Sequence, residues 1–331
     1  MKNILVTGAS GYIAKHCIAE LIKEGFSVKG TVRDLQKGVT VKEDLENYLN
    51  QQIDIEFAET TLDNNNGWDE AVKGCDTIMH VASPFPRRYI ENEDDLIIPA
   101  KEGTLNVLNA AKNAGIERVV ITSSNAAISY GHEDKDTFDE NCWTNIDADS
   151  VTAYTKSKTI AEKSAWDFVS KNPEIKLTAI NPVLVWGPGI GNHLHSSSLA
   201  IYKMLFKKEQ PMVPKIIIPT VDVRDVAKMH VSALKIDESI GKRFLLSENT
   251  YWMKDISQCL KDLGYNAPTI QAPDFLIKLM AKFDKSLVAA LPHLGFRFSL
   301  NTSQAKNILG FNPIPLKDTC KDTADYLSAL L

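Results

Sequence analysis

The sequence predicts an α/β protein with a doubly wound parallel sheet and a smaller, mostly helical C-terminal lobe, on three observations. Short apolar runs alternate with helical patterns from the start, a glycine turn follows the first run directly, and the alternation breaks after Pro182. The runs pair as strand then helix: 3–7 with 12–24, 27–32 with 41–50, and 53–57 with 67–73. The series continues with a strand at 77–82, a helix at 99–113, a strand at 118–122, a helix at about 151–170 and a strand at 176–180. Strands joined through helices lie parallel, since each crossover returns the chain to the same end of the sheet, and the helices cover both faces.

The turn after the first strand reads Thr7-Gly8-Ala9-Ser10-Gly11-Tyr12-Ile13-Ala14 and opens an amphipathic helix. Gly8 permits the tight turn, Gly11 lets the backbone approach a pyrophosphate, and the small Ala14 lets the helix pack closely on the sheet. The helix N-terminus offers free N–H groups and a positive dipole end to the phosphates of a dinucleotide, and Ser10, Gly11, Tyr12 and Ile13 are candidate cofactor-binding residues. The pattern predicts a Rossmann-type domain. The second strand ends in Thr31-Val32-Arg33-Asp34, where a reader of NAD carries an acidic residue for the ribose diol. Arg33 instead suits a 2′-phosphate, so NADPH is the expected cofactor, with Lys37 and Ser10 adding contacts to the same group. The competing assignment puts Asp34 on the diol and leaves Arg33 at the surface.

Tyr154 and Lys158 fall in a helical pattern one turn apart on one face. Ser124 follows the strand at 118–122, at the carboxyl edge where open α/β sheets bind ligands. Carbonyl reduction needs a hydride donor and a proton donor for the oxygen that gains charge. A phenol with an ordinary pKa of about 10 is a weak acid near neutrality, and the Lys158 ammonium, beside the positively charged oxidised nicotinamide in the reverse direction, is expected to favour the phenolate and raise its acidity. Ser124 is expected to donate to the substrate oxygen.

After Pro182 a Gly/Pro-punctuated stretch at 185–195 leads to helical pieces at 198–207, 253–263 and 274–283. The expected division is a nucleotide-binding domain over 1–182, to which 215–247 returns, and a substrate-binding lobe from 183–214 and 248–331. Trp186, Tyr202 and Phe206 either line an apolar pocket there or fill the core of the lobe. His193 and His195 flank Leu194 without a third ligand, so no metal is assigned.

At 331 residues the chain has room for a large core, and 44% hydrophobic and 24% charged residues describe an ordinary globular protein. A net charge of −5, with basic pairs only at Arg87-Arg88 and Lys207-Lys208, gives no footprint for nucleic acid. Five scattered cysteines without a CxxC pair suggest neither zinc nor a disulfide framework. The expected protein is a cytoplasmic monomer or homodimer that acts on a small carbonyl compound, with no signal peptide and no membrane span.

These residues together resemble the extended short-chain dehydrogenases/reductases, in the branch of dihydroflavonol 4-reductase-like carbonyl and aldehyde reductases. The matching pieces are 7–14, Gly30 to Asp34, His80-Val81-Ala82-Ser83-Pro84, Thr122-Ser123-Ser124, Asp139-Glu140-Asn141-Cys142-Trp143, the Tyr154/Lys158 pair, Asn181-Pro182 with Gly187-Pro188, and 221–226, and they cover residues 1–246. The resemblance implies NADPH, Tyr154 as acid/base, Lys158 on the nicotinamide ribose, Ser124 orienting the substrate oxygen and Arg33 on the 2′-phosphate. It also implies Val81, Ala82 and Ser83 along the cofactor, Leu62 at the adenine and Pro182 against the nicotinamide.

Three positions depart from the pattern. Pro99 stands where many extended members carry an active-site Asn, Thr61 replaces the Asp before Leu62, and Ser129 replaces the Asn by which flavonoid reductases read a phenolic ring. A general aldehyde or ketone reductase is the expectation. The alternatives are a hydroxysteroid dehydrogenase or sugar-nucleotide epimerase on the same scaffold, and a non-enzymatic NADP sensor, which would have no need of Tyr154 and Lys158. Arg33→Ala is expected to weaken binding of NADPH, but not NADH, by about 1.5–3 kcal/mol, the worth of a charge-assisted hydrogen bond, read by cofactor titration. An unchanged preference would assign the site to Asp34.

Overall fold

The structure is a computed structural model that describes residues 2–84, 92–194, 196–283, 291 and 293–331. Arg87-Arg88 and His195 lie outside the described residues. Seven strands form one sheet: β1 (Asn3–Val6), β2 (Ser27–Val32), β3 (Ile55–Glu59), β4 (Thr77–His80), β5 (Arg118–Thr122), β7 (Lys176–Pro182) and β11 (Arg243–Leu246). Their spatial order is β3-β2-β1-β4-β5-β7-β11, and every neighbouring pair is parallel. The order reverses between β1 and β4, which opens a crevice at the carboxyl ends of those strands.

Alternation along β1 divides the core between the two faces. Ile4 and Val6 pack under α1 (Tyr12–Lys23), α2 (Leu35–Leu49) and α7 (Val223–Lys235), against Ile18, Leu45 and Val231. Leu5 points the other way, to α3 (Trp68–Val72), α4 (Asp94–Asn113) and α5 (Ala153–Lys171), and meets Trp68, Leu108 and Ala165. Two helices start earlier than their apolar periodicity suggests, and polar side chains explain both. Asp34 accepts from the Gln36 amide at 2.9 Å and starts α2 at Leu35. Asn92 accepts from the Asp94 amide at 3.1 Å, so α4 begins five residues before Pro99, which sits inside the helix.

The rest of the chain packs against the β7/β11 edge. β8 (Leu184–Trp186), β10 (Ile217–Asp222) and β12 (Asn249–Trp252) form a small mixed sheet. Around it lie α6 (Ala200–Phe206), α8 (Met253–Asp262), α9 (Asp274–Met280), α10 (Ser303–Leu309) and α11 (Leu316–Leu330). Two short pairs, β6 (Thr137–Phe138) with β14 (Ser299–Leu300) and β9 (Met212–Val213) with β13 (Ile270–Gln271), pin connecting segments. The segment 215–247 divides at Asp222. β10 pairs with β8 and β12, because its backbone is in register with 184–186, and only α7 and β11 reach the large sheet. Trp186 and Tyr202 are fully buried core residues in edge contact at 5.2 Å, and Phe206 packs on Tyr265 at 5.3 Å.

The ends of β1 and β4 are tied by one hydroxyl. Thr7 Oγ1 accepts from the amides of Val81 and Ala82 at 3.1 and 3.0 Å, so its proton goes to His80 Nδ1 at 2.8 Å. His80 is then the Nε2–H tautomer, and burial pulls its pKa down to about 3 and keeps it neutral. Thr7→Val leaves these groups unpaired and is expected to destabilise the protein by about 1–3 kcal/mol in urea unfolding. A loss below a few tenths of a kcal/mol would mean that the hydroxyl is dispensable.

Candidate active site

The glycine turn lies directly against the end of β4. Gly8 has φ +67°, and a Cβ there would stand 2.9 Å from the Ala82 Cβ, so both conformation and contact require glycine. The Gly8 amide donates to Thr31 Oγ1 at 3.1 Å and the Ala9 amide to the Thr31 carbonyl at 2.8 Å, which fastens the turn to the end of β2. Gly11 starts α1 with no side-chain cap, so the amides of the first helical turn stay open for an anion, and Ser10 and Gly11 are exposed beside them. Ile13 is half-buried. The Tyr12 side chain turns away into the core, where its hydroxyl donates to the Gly187 carbonyl at 2.7 Å. Only the backbone of Tyr12 faces the turn, because a buried phenol needs an acceptor and finds one across the lobe boundary.

Arg33 and Lys37 are exposed side by side at the start of α2, and neither has a side-chain partner among the described residues. Asp34 faces the helix it caps. Leu62 packs against Gly103, where a Cβ would approach it to 2.9 Å, and the Thr61 hydroxyl beside it is buried without a hydrogen bond. Val81, Ala82 and Ser83 are half-buried along the crevice, and Pro182 is buried at the end of β7. A surface groove of about 550 Å3 lies at the far end of α2, lined by Glu43, Glu46 and Asn47, and none of the residues above borders it.

Thr152 caps α5 by accepting from the Thr155 amide at 3.3 Å, which puts Tyr154 in the first turn and Lys158 one turn on. Tyr154 is half-buried and hydrogen-bonded to Ser124, whose Oγ also accepts from the Ala126 amide at 3.1 Å. Burial raises the Tyr154 pKa to about 12, partly offset by the Ser124 hydrogen bond. Burial also lowers the Lys158 pKa to about 8, against a smaller opposing pull from Glu162. Lys158 is 9% exposed and has no hydrogen bond or ion pair among the described residues. A buried ammonium without a partner suits a site where a polar ligand completes it.

Two residues that the sequence did not single out, Glu162 and Arg243, lie beside this group. Glu162, a further turn along α5, lies 2.6 Å from Arg243 Nε in a buried ion pair, and Asn181 and Ser123 join it. Its spacing of four from Lys158 was legible as a continuation of the same helix face. His193 is half-buried with its ring edge-on to Tyr12 at 5.6 Å, and among the described residues no acidic, His or Cys cluster suits a metal.

Comparison with known proteins fits this arrangement. Residues 5–284 match the model of the 3-beta hydroxysteroid dehydrogenase/isomerase family. The chain belongs to that family. This places it among the extended short-chain dehydrogenases/reductases, as the motif resemblance implied. Among its relatives is the NADPH-dependent methylglyoxal reductase GRE2 of Saccharomyces cerevisiae, 31% identical over 98% of both chains. A second is the cinnamoyl-CoA reductase CAD2 of Medicago truncatula, 32% identical over 98% of this chain and 95% of that one. The crystal structure of the yeast methylglyoxal/isovaleraldehyde reductase Gre2 with NADPH superposes with a TM-score of 0.82 at 30% identity, covering 99% of this chain and 98% of that one.

In this family member Lys158 costs stability before a ligand arrives. Its folded pKa of about 8 lies below the ordinary 10.5, so the penalty is full below pH 8 and fades as pH rises towards 10.5. Lys158→Met is expected to stabilise the cofactor-free protein at pH 7 by up to about 3 kcal/mol, with a gain that shrinks above pH 8 in thermal unfolding. A loss of stability at pH 7 would show that the ammonium is satisfied in the free protein.

Proposed function

We propose that the protein is an NADPH-dependent carbonyl reductase that converts an aldehyde or ketone to the alcohol. The observation that carries this is the Tyr154–Ser124 hydrogen bond beside the buried, unpartnered Lys158. The names of the relatives support the reaction and cofactor, and the uncapped first turn of α1, the close approach of Gly8 to Ala82 and an Arg33 with no side-chain partner among the described residues fit a phosphorylated dinucleotide. In this assignment Gly11 and the amides of Tyr12 and Ile13 hold the pyrophosphate, and Arg33, Lys37 and Ser10 hold the 2′-phosphate. Leu62 borders the adenine, Val81 to Ser83 line the cofactor, and Pro182 backs the nicotinamide. The nucleotide-binding domain then comprises 1–182 with α7 and β11, and the rest forms the substrate lobe.

Bound NADPH supplies the hydride. Tyr154 gives its proton to the carbonyl oxygen, and a pKa near 12 keeps the phenol protonated at neutral pH, the state reduction requires. Ser124 turns its hydroxyl proton from Tyr154 to the substrate oxygen, while the Ala126 amide holds its Oγ in place. Lys158, one turn further along α5, stabilises by its charge the tyrosinate left behind until solvent returns the proton.

The test follows NADPH absorbance with aldehydes, α-dicarbonyls, β-ketoesters, aryl ketones and a 3-ketosteroid. Turnover with small aldehydes or α-dicarbonyls is expected, and Tyr154→Phe should lower kcat about 10²- to 10⁴-fold, the worth of a positioned general acid. Undiminished turnover in the variant would remove Tyr154 from the mechanism. Turnover of the steroid alone would favour the hydroxysteroid dehydrogenase, and none at all would favour the sensor.

A further inference from the structure

We infer that Glu162 is a positioning residue for Ser124, and that α5 sets the Tyr154–Ser124 distance by carrying both the tyrosine and the carboxylate that places the serine. The inference rests on the functional assignment of Ser124 above.

Tyr154, Lys158 and Glu162 recur every fourth residue on α5, so they share one face of one rigid element. Glu162 is 1% exposed. Its Oε2 accepts from Ser123 Oγ at 2.5 Å and from Asn181 Nδ2 at 2.7 Å. Asn181 Nδ2 also donates to the Ser124 carbonyl at 3.2 Å. The residue before the serine and the carbonyl of the serine itself therefore both trace to one carboxylate.

The far side of the serine is held by the partner of that carboxylate. Arg243 gives Nε and Nη2 to Glu162 at 2.6 and 3.3 Å. Its remaining donors go to the carbonyls of Ala127, Glu140 and Cys142 at 3.3, 2.8 and 2.7 Å, so all five guanidinium hydrogens are used. Ala127 closes the single helical turn that Ser124 begins, its amide donating to the Ser124 carbonyl at 3.0 Å. Ser124 is thus bracketed by Ser123 and Ala127, and both brackets end on the Glu162–Arg243 pair. Trp143 lies over the guanidinium at 3.7 Å and closes that side.

A carboxylate that only held the core would affect stability and leave the serine's contribution to kcat untouched. One that places Ser124 loses its effect once the serine hydroxyl is gone. The test is a double-mutant cycle of Glu162→Gln and Ser124→Ala in the NADPH-dependent reduction, with kcat, KM and NADPH binding by fluorescence measured for each variant. Glu162→Gln is expected to lower kcat about 10- to 100-fold, as a small misplacement of a reacting group does. KM and NADPH affinity should stay within about threefold, because only the transition state uses the serine fully. In the Ser124→Ala background the same substitution should leave kcat unchanged.

Equal losses of kcat in both backgrounds, or a loss carried wholly by KM, would overturn the inference while leaving the reductase standing. Absence of wild-type turnover would instead overturn the functional assignment. Should Glu162→Gln fail to fold by circular dichroism, Ser123→Ala replaces it in the cycle. That variant removes one donor to the carboxylate without leaving a buried charge unpaired, and the same non-additivity is required of it.

Discussion

The buried pair of Glu162 and Arg243 is the constraint on which this site depends. Two ions removed from water lose several kcal/mol of solvation each, and only complete hydrogen bonding returns it. Here the five guanidinium hydrogens have acceptors, and the carboxylate gathers Ser123, Asn181 and Trp166 besides the arginine. Each of those partners comes from a different element, so the pair joins α5, β7, β11, the turn after β5 and the 139–143 segment at one point. Gln304 of α10 donates to the Arg243 carbonyl and brings the smaller lobe to the same place. Removing one partner leaves an unpaired charge inside the protein, a cost of about 3–5 kcal/mol that makes the knot cooperative.

Stability is conceded where a ligand is to be met. Among the described residues Lys158 is buried without a hydrogen-bond or ion-pair partner, Gly8 holds a left-handed conformation against Ala82, and the first turn of α1 has no side-chain cap. Natural sequences depart from local consistency mostly at functional positions. The three departures face the crevice where the sheet order reverses, whereas the Thr7 hydroxyl just behind them satisfies three neighbours at once.

The sheet was legible because each central strand is a short apolar run bounded by turn residues, and the catalytic helix because Tyr154 and Lys158 keep helical spacing. What stayed hidden depends on contacts between distant parts of the chain. Glu162 meets an arginine 81 residues away, and Tyr12 finds its acceptor 175 residues on. Tyr12 was grouped with the phosphate turn for its place after Gly11, yet its phenol belongs to the core. The segment from 217 to 222 has the composition of a main-sheet strand, and its pairing with β8 was decided by backbone register that composition does not encode. Spacing shows a neighbouring charge and gives no measure of the burial that raises the Tyr154 pKa in the free protein.

The loop at 187–193 joins the two ends of the chain. Tyr12 and His16 on the first helix bond to the carbonyls of Gly187 and Pro188, and Lys15 to that of Ile190. From the other side Thr323 accepts from the Gly187 amide, and Tyr326 accepts from the His193 amide while donating to the Gly191 carbonyl. During synthesis the first helix therefore emerges with the Tyr12 hydroxyl and the His16 ring short of hydrogen-bond acceptors until the loop exists, while Lys15 already has Asp44, and the loop gains its outer anchor only with α11. The nucleotide-binding half, although it is made before α11, completes its packing against this loop only once α11 has followed.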